Sequence, residues 1–377
     1  MPILGIMKIV VNIKLLPDAP QHSILRETLE RTNAACNYLS EVGWNAGVLR
    51  QYDLQKLAYR NTKNKFGIVS DMVIRCIAKV SDAYKLDKKT QRVFRKYSAH
   101  PYNHHILRFS KKDDIVSIST TEGRLKIPFV MGEYQRKFFP FRKGESDLLL
   151  VRGKFYLACV CDIDEPELIK SRGVLGVDLG IENIATTSDG DFFSGKGCDA
   201  VRIKMNKIKK TLQAKGSKSA KRHLKKFSGH ETRFKKNTNH VISKQIVSIA
   251  AGTNRAIGLE DLKGFKVTVN RAQKERFGKW AFDELGQFIV YKAKKSGIPV
   301  FRVDPRNTSK ECSQCNHVSK SNRKIQAVFL CKKCGFQIHA DINGAINIAT
   351  RAIVNLPIAV RSHSPNSPSL GTASRLF

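Results

Sequence analysis

The sequence predicts a multidomain α+β protein, and three observations carry that expectation. Strand-like runs at both ends of the first 170 residues flank a long stretch of helical periodicity. Further on, apolar strand runs deliver single carboxylates at widely separated positions. Near the end stand two paired-cysteine knuckles, Cys312-Ser-Gln-Cys315 and Cys331-Lys-Lys-Cys334, with fifteen residues between them.

Residues 7 to 15 alternate apolar and polar, which suits a half-buried strand, and Pro17 to Pro20 ends it. From about His22 to Lys96 the period changes. Leu25, Leu29, Ala34 and Tyr38, then Leu54, Leu57 and Ala58, then Val73, Ile74, Ile77, Val80 and Tyr84 recur every three to four residues without an internal proline, which predicts helices. Strand patterns return at 115–119, 124–130, 148–151 and 154–161, broken at Glu122-Gly123 and Arg152-Gly153. The simplest account is a β module interrupted by a helical block.

From Ser171 the run to Val177 is apolar and ends on Asp178, and Asn183 to Gly190 reads as a second strand closing on a tight turn. Residues 202–236 hold fourteen Lys or Arg against one acid, Glu231, with Ile203, Ile208, Leu212 and Leu224 as a sparse apolar seam. A solvated helix face is the ordinary reading of such a run. Beside a carboxylate site it suits a phosphate-gripping surface, with Lys204, Lys207, Lys210, Lys221, Arg222 and Lys225 as candidate nucleic-acid contacts, and Phe138 and Phe139 as candidate aromatic ones. A second apolar strand from Ala256 ends on Glu260. A helix with Trp280, Phe282, Leu285, Phe288 and Tyr291 on its apolar face follows, then a short strand, Pro299 to Val303. After the knuckles comes Asp341, opening a helical run to Val354, and a tail from about Leu356 that reads as disordered.

Composition bounds the function. A formal charge of +35 on 377 residues calls for a polyanionic partner, and nucleic acid is the usual one. No run of about 18 apolar residues and no secretory leader pattern stands in the chain, so a cytoplasmic protein without membrane association is expected. Five of the nine cysteines, Cys36, Cys76, Cys159, Cys161 and Cys198, lie in apolar surroundings and read as reduced core thiols. The other four have the spacing of a tetrathiolate zinc ribbon, in which each Cys-x-x-Cys turns two sulfurs toward one tetrahedral ion.

Asp178, Glu260 and Asp341 are hard oxygen donors at the ends of three elements, a pattern suited to one or two magnesium ions and to phosphodiester hydrolysis. Asn343 and Asn347 read as supporting groups, not as metal ligands.

At these residues the chain resembles a known family. Gly176-Val-Asp178-Leu-Gly180, Ile257-Gly-Leu-Glu260-Asp261-Leu, Thr308 to Cys315, Cys331 to Gly335, and Ala340-Asp341-Ile-Asn343-Gly-Ala-Ile-Asn347 are similar to the motifs of TnpB. These are transposon-encoded RNA-guided DNA endonucleases, related to the type V CRISPR effector nucleases. The resemblance implies a RuvC-type, ribonuclease H-like nuclease domain split into three motifs, with Asp178, Glu260 and Asp341 as catalytic metal-binding acids. It implies a zinc ribbon inserted before the third motif, and a β-barrel-like wedge interrupted by a helical recognition block.

The corresponding boundaries are wedge at 1–20 and 101–170, recognition block at 21–100, nuclease at 171–308 and 339–356, ribbon at 309–338, and a disordered tail at 357–377. The implied partners are a guide RNA and target double-stranded DNA, and the implied state is a monomeric ribonucleoprotein. Two departures stand out. Asn316 replaces a glycine common in relatives and Ala340 replaces an arginine found in some, yet neither removes a ligand. The alternatives are a guide-free transposase-associated nuclease and a non-catalytic, zinc-dependent nucleic-acid-binding regulator.

Overall fold

The structure, a computed structural model, describes residues 5–110, 112–180, 182–262, 282–325 and 327–356. Trp280 and the tail beyond Leu356 lie outside them. The chain divides into two units, Met1–Asp164 and Glu165–Phe377.

The first unit is built on a seven-stranded sheet of order β2-β6-β7-β1-β5-β4-β3, with every pairing antiparallel. Its strands are β1 (Ile6–Leu15), β2 (His100–Tyr102), β3 (Leu107–Phe109), β4 (Ile115–Thr120), β5 (Gly123–Val130), β6 (Arg142–Val151) and β7 (Lys154–Asp164). In β1 the alternation is strict: Met7, Ile9, Val11, Ile13 and Leu15 are buried, while Lys8, Val10 and Asn12 face out. A short helix, α4 (Glu133–Phe138), precedes β6.

Helices α1 (Ala19–Asn45), α2 (Gln51–Phe66) and α3 (Ser70–Leu86) fill the gap between β1 and β2. Asp18 caps α1 in a reciprocal box with Gln21, which is why the chain turns into a helix directly after the proline-flanked bend. Leu25, Leu29, Leu39, Ile77 and Val80 pack into one core with Ile9, Ile13, Phe155 and Leu157. Ala34 is exposed, and Ala35 and Cys36 take its expected place, because α1 buries two adjoining stripes. Phe138 is buried in this core and Phe139 packs against it beside Phe109 and Phe129, so the aromatic pair forms part of the packing and Phe138 is withdrawn from any nucleic-acid contact.

The second unit holds a five-stranded sheet of order β10-β9-β8-β11-β12. Strands β8 (Val174–Asp178), β11 (Ala256–Glu260) and β12 (Val300–Val303) run parallel. Strand β9 (Asn183–Thr187) is antiparallel to β8 and to β10 (Phe192–Ser194). The central strands β8 and β11 are apolar up to their terminal acids because both faces are covered.

On one face, Leu175, Val177, Ile257 and Leu259 meet Ile242 and Ile246 of α7 (His230–Gly252) and Leu285 and Ile289 of α8 (Phe282–Lys295). On the other face, Val174 and Ala256 meet Ile348 and Ala352 of α9 (Ala340–Ile353). In α8 the buried stripe is Leu285, Ile289 and Ala293. Phe288 stacks on His240, and Tyr291, expected in the core, is exposed.

Helices α5 (Lys196–Lys215) and α6 (Lys218–Phe227) carry the basic run. Their buried residues are Cys198, Met205 and Ala220, whereas Ile203, expected in the seam, is 61% exposed. Between α8 and α9, strands β13 (Val328–Leu330) and β14 (Gln337–His339) form a small hairpin. No helix among the described residues is long and apolar enough to cross a membrane.

Candidate active site

Asp178 ends β8 and Glu260 ends β11, on adjacent parallel strands whose register sets Val177 beside Leu259. The two carboxylates therefore leave the sheet side by side at its C-terminal edge. Asp341 comes from the first turn of α9, which crosses the same sheet face.

The close approach of that helix rests on glycine. A Cβ on Gly176 would lie 1.9 Å from the Ala345 carbonyl oxygen, and one on Gly258 would press against Ala352, Val174 and Ile348. A Cβ on Gly344 would sit 2.9 Å from Asp178 Oδ2, so the N-terminal part of α9 also lies directly over that acid.

Each acid has neighbours that orient it. The Asn183 side-chain amide donates to Asp341 Oδ2 at 3.0 Å, and the Arg323 guanidinium donates to Oδ1 at 2.9 Å. The Thr308 hydroxyl donates to Glu260 Oε1 at 2.5 Å. His339 caps α9 by accepting the Asp341 N–H on Nδ1 at 3.2 Å.

Burial, then the Glu260 and Asp341 carboxylates, push the Asp178 carboxyl up to about 8, with Arg323 and the Leu179 backbone N–H opposing the rise. Glu260 is also raised, by burial, against the Thr308 hydroxyl and Arg351. Asp178 and Glu260 thus share a region that disfavours the ionisation of both unless positive charge is supplied.

Asn343 and Asn347 do not reach into this site. The Asn343 amide donates to the Glu311 carbonyl, and its Oδ1 accepts the Ser313 N–H. The Asn347 amide donates to the carbonyls of Thr308 and Glu311. Arg351 donates to the carbonyls of Asp304 and Arg306 and pairs with Glu311. One face of α9 therefore pins the 304–313 segment, which carries Thr308 to Glu260 and leads into the first cysteine knuckle.

In the ribbon, Cys312 Sγ lies 3.7 Å from Cys334 Sγ, and Cys315 Sγ lies 3.5 Å from Cys331 Sγ. All four sulfurs fall within 4.8 Å of one another. A tetrahedron of thiolates at about 2.3 Å from zinc has edges of about 3.8 Å, so this donor set can hold a zinc ion. The knuckles are built alike. Asn316 N–H donates to the Cys312 carbonyl and Gly335 N–H to the Cys331 carbonyl; Cys312 N–H donates to the His317 carbonyl and Cys331 N–H to the Phe336 carbonyl.

Asn316 and Gly335 both have left-handed backbone, φ 59° and 73°, which explains why an asparagine serves where glycine is common. Ala340 is fully buried against Cys312, Phe329 and Cys331. Among the described residues, the four cysteines are the one set of three or more His, Cys, Asp or Glu gathered this closely.

Lys204, Lys207 and Lys210 are exposed on α5, and Lys221, Arg222 and Lys225 are exposed on α6. Glu231 pairs with Lys209 and Lys235 at 3.5 and 3.3 Å, so the single acid of the region ties α5 to α7 and leaves those six cations facing water.

Asn183, Thr308, Arg323 and His339 were not legible as site residues. Asn183 carries no pattern of its own, Thr308 stood in the run leading to Cys315 without a role attached to it, and Arg323 lies among other ribbon cations. His339, two residues before Asp341 at a helix start, is the one position a capping argument could have singled out.

The second unit thus combines a mixed sheet with paired acids at its C-terminal edge, a crossing helix and a four-cysteine ribbon. A family model described as "Cas12f1-like, TNB domain" matches residues 282–348. A CRISPR-associated endodeoxyribonuclease Cas12f1 of Sulfoacidibacillus thermotolerans is 39% identical over 120 residues, 31% of this chain and 27% of that protein. A TnpB-like protein of Methanocaldococcus jannaschii is 28% identical over 257 residues, 63% of this chain and 90% of that one. In fold, the chain is similar to Cas12f1 in its complex with single-guide RNA and target DNA, with a TM-score of 0.60 at 15% identity, covering 87% of this chain and 81% of that one. In sequence, the chain is thus similar to TnpB-like and Cas12f1 proteins over part of its length.

Proposed function

We propose that this protein is an RNA-guided, metal-dependent DNA endonuclease of a transposable element, cleaving double-stranded DNA beside a short adjacent motif through a single RuvC-type, ribonuclease H-like site. The observation that carries the reading is the convergence of Asp178, Glu260 and Asp341 at one sheet edge, with the Asp178 carboxyl pushed up to about 8 by burial and its two acidic neighbours. The names of the relatives and the fold likeness support the RNA-guided part.

Three hard carboxylates gathered in this way fit magnesium, which takes oxygen ligands and keeps several waters. When bound, such an ion supplies charge stabilisation to a phosphodiester and activates water. The chain's own residues do the rest. Asn183 and Arg323 orient Asp341, Thr308 orients Glu260, and Gly344 leaves room for the Asp178 carboxylate. The six exposed cations of α5 and α6 suit phosphate-backbone contact, and guide pairing would supply sequence selectivity.

In this reading residues 1–20 and 101–170 form the wedge, 21–100 the recognition block, 171–308 with 339–356 the nuclease, and 309–338 a zinc-bound ribbon. The assembly is a monomeric ribonucleoprotein acting in the cytoplasm.

The test is to express the chain with its native flanking DNA and sequence the RNA that co-purifies, then assay that complex on matching duplex DNA with magnesium. One abundant RNA with a constant part and a variable end, and cleavage abolished by Asp178→Ala with RNA retention unchanged, is the expected result. Random RNA fragments with no magnesium-dependent cleavage would sink it.

A further inference from the structure

We propose that Phe192 is a stacking platform for the nucleobase beside the scissile phosphate, a subsite for one unpaired nucleotide at the rim of the carboxylate cluster. The inference rests on the nuclease reading above and deepens it.

Directly opposed residues on antiparallel strands share a sheet face. Phe192 pairs in register with Thr186, and Thr186 with Asp178, while Glu260 follows on the adjacent parallel strand. Phe192, Thr186, Asp178 and Glu260 thus form one lateral row on the face that α9 crosses. Within the row Thr186 is buried, so the next exposed side chain beyond Asp178 is the phenyl ring. Two strand spacings of about 4.8 Å put it roughly 10 Å from the aspartate along the sheet, a span that a nucleotide flanking the reacting phosphate can cover.

The neighbouring Phe193 faces the other way and packs against the core of the second unit, which leaves Phe192 without a core role. It is 45% exposed. It is nonetheless held in place, since its ring meets the His339 imidazole edge-on at 4.7 Å and 74°. His339 is itself fixed by the Asp341 N–H on Nδ1, so in the neutral ring Nε2 carries the proton as a donor. An open aromatic surface is thereby tied, through one imidazole, to the backbone of a catalytic acid. Stacking on such a ring tolerates any base, which suits an enzyme whose sequence selectivity lies in its guide.

The test uses the full chain with its co-purified RNA and a matching duplex in which a single abasic site is stepped along the cleaved strand. Cleavage by the unaltered protein and its loss in Asp178→Ala come first; no magnesium-dependent cleavage overturns the nuclease reading and the subsite together. Given cleavage, Phe192→Ala and Phe192→Leu should raise the half-saturating DNA concentration roughly five- to a hundred-fold, and Phe192→Tyr should restore it. An abasic site at one position beside the cut should produce the same loss in the unaltered protein and add nothing in Phe192→Leu. If Phe192→Leu cleaves as the unaltered protein does, or if its loss adds in full to the abasic loss at every position, the subsite is refuted while the nuclease reading stands.

Discussion

Asp178 carries a cost in the native state that a pH series can read. Its carboxyl titrates at about 8 against an ordinary 3.8, so between those values the folded protein holds a proton that the unfolded chain has released. The unfolded chain then binds fewer protons, and stability falls as pH rises through that window, with the loss complete above about 8. Asp178→Asn removes the titration. In metal-free buffer the melting temperature of the second unit should therefore drop from pH 5 to pH 8.5 in the unaltered protein relative to the variant, by ~2–4 °C for each kcal/mol. Millimolar magnesium at pH 8 should recover it in the unaltered protein and not in Asp178→Asn, because a ligand that binds only the folded state stabilises by mass action. Parallel pH curves for the two proteins, measured by calorimetry, would show that the acids do not strain the fold.

At the scale of elements, α9 links the acids, the 304–313 segment and the ribbon, and its seating depends on Gly176. Alanine there would collide with the Ala345 carbonyl at 1.9 Å, a backbone atom that no rotamer change can move. Gly176→Ala should lower the stability of the second unit by about 1–3 kcal/mol or more and leave the first unit's transition unchanged. Cleavage should fall with it, since a displaced helix carries Asp341 away from Asp178; an unshifted second transition in calorimetry would count against this packing.

The ribbon is the other support, because it carries Arg323 to Asp341 and Ser313 to Asn343. One zinc per chain by metal analysis is expected, and Cys331→Ser should lose both the zinc and most of the cleavage while the first unit still melts normally.

These elements differ in how readable they were. The parallel strands announced themselves as apolar runs ending on acid, and the knuckles by spacing alone. Gly176 was visible as a residue, but its purpose was not, since the helix it admits begins more than 160 positions later. Ala34, Ile203 and Tyr291 were misplaced because helical periodicity reports that a helix has a buried stripe more reliably than where its edges fall once two partners share it.

For the molecule as a whole, the excess of 67 Lys and Arg over 32 Asp and Glu gives the +35 charge, and no single partner within the chain balances it. The ion pairs Lys85–Asp82, Lys96–Glu30, Arg136–Asp114 and Arg306–Asp304 are exposed at both ends, and contacts of that kind contribute at most about 1 kcal/mol each, so these four cations do little to hold the fold. The expectation of a polyanionic partner was available from composition. Which cations meet the phosphates was not, because Lys209 and Lys204 look alike until Glu231 is seen to engage one of them.

The corresponding experiment is a salt titration of DNA affinity. Each phosphate that a cation neutralises releases counterion and adds about 0.7 to 0.9 to the slope of log affinity against log salt, so a steep slope is expected for the unaltered protein. Replacing Lys204, Lys207, Lys210, Lys221, Arg222 and Lys225 together by glutamine should flatten that slope by up to about 5, weaken binding uniformly across DNA sequences, and leave melting within about 1 kcal/mol, since all six side chains face water. A slope unchanged by the six substitutions would move the nucleic-acid path off α5 and α6 while leaving the carboxylate site where it is.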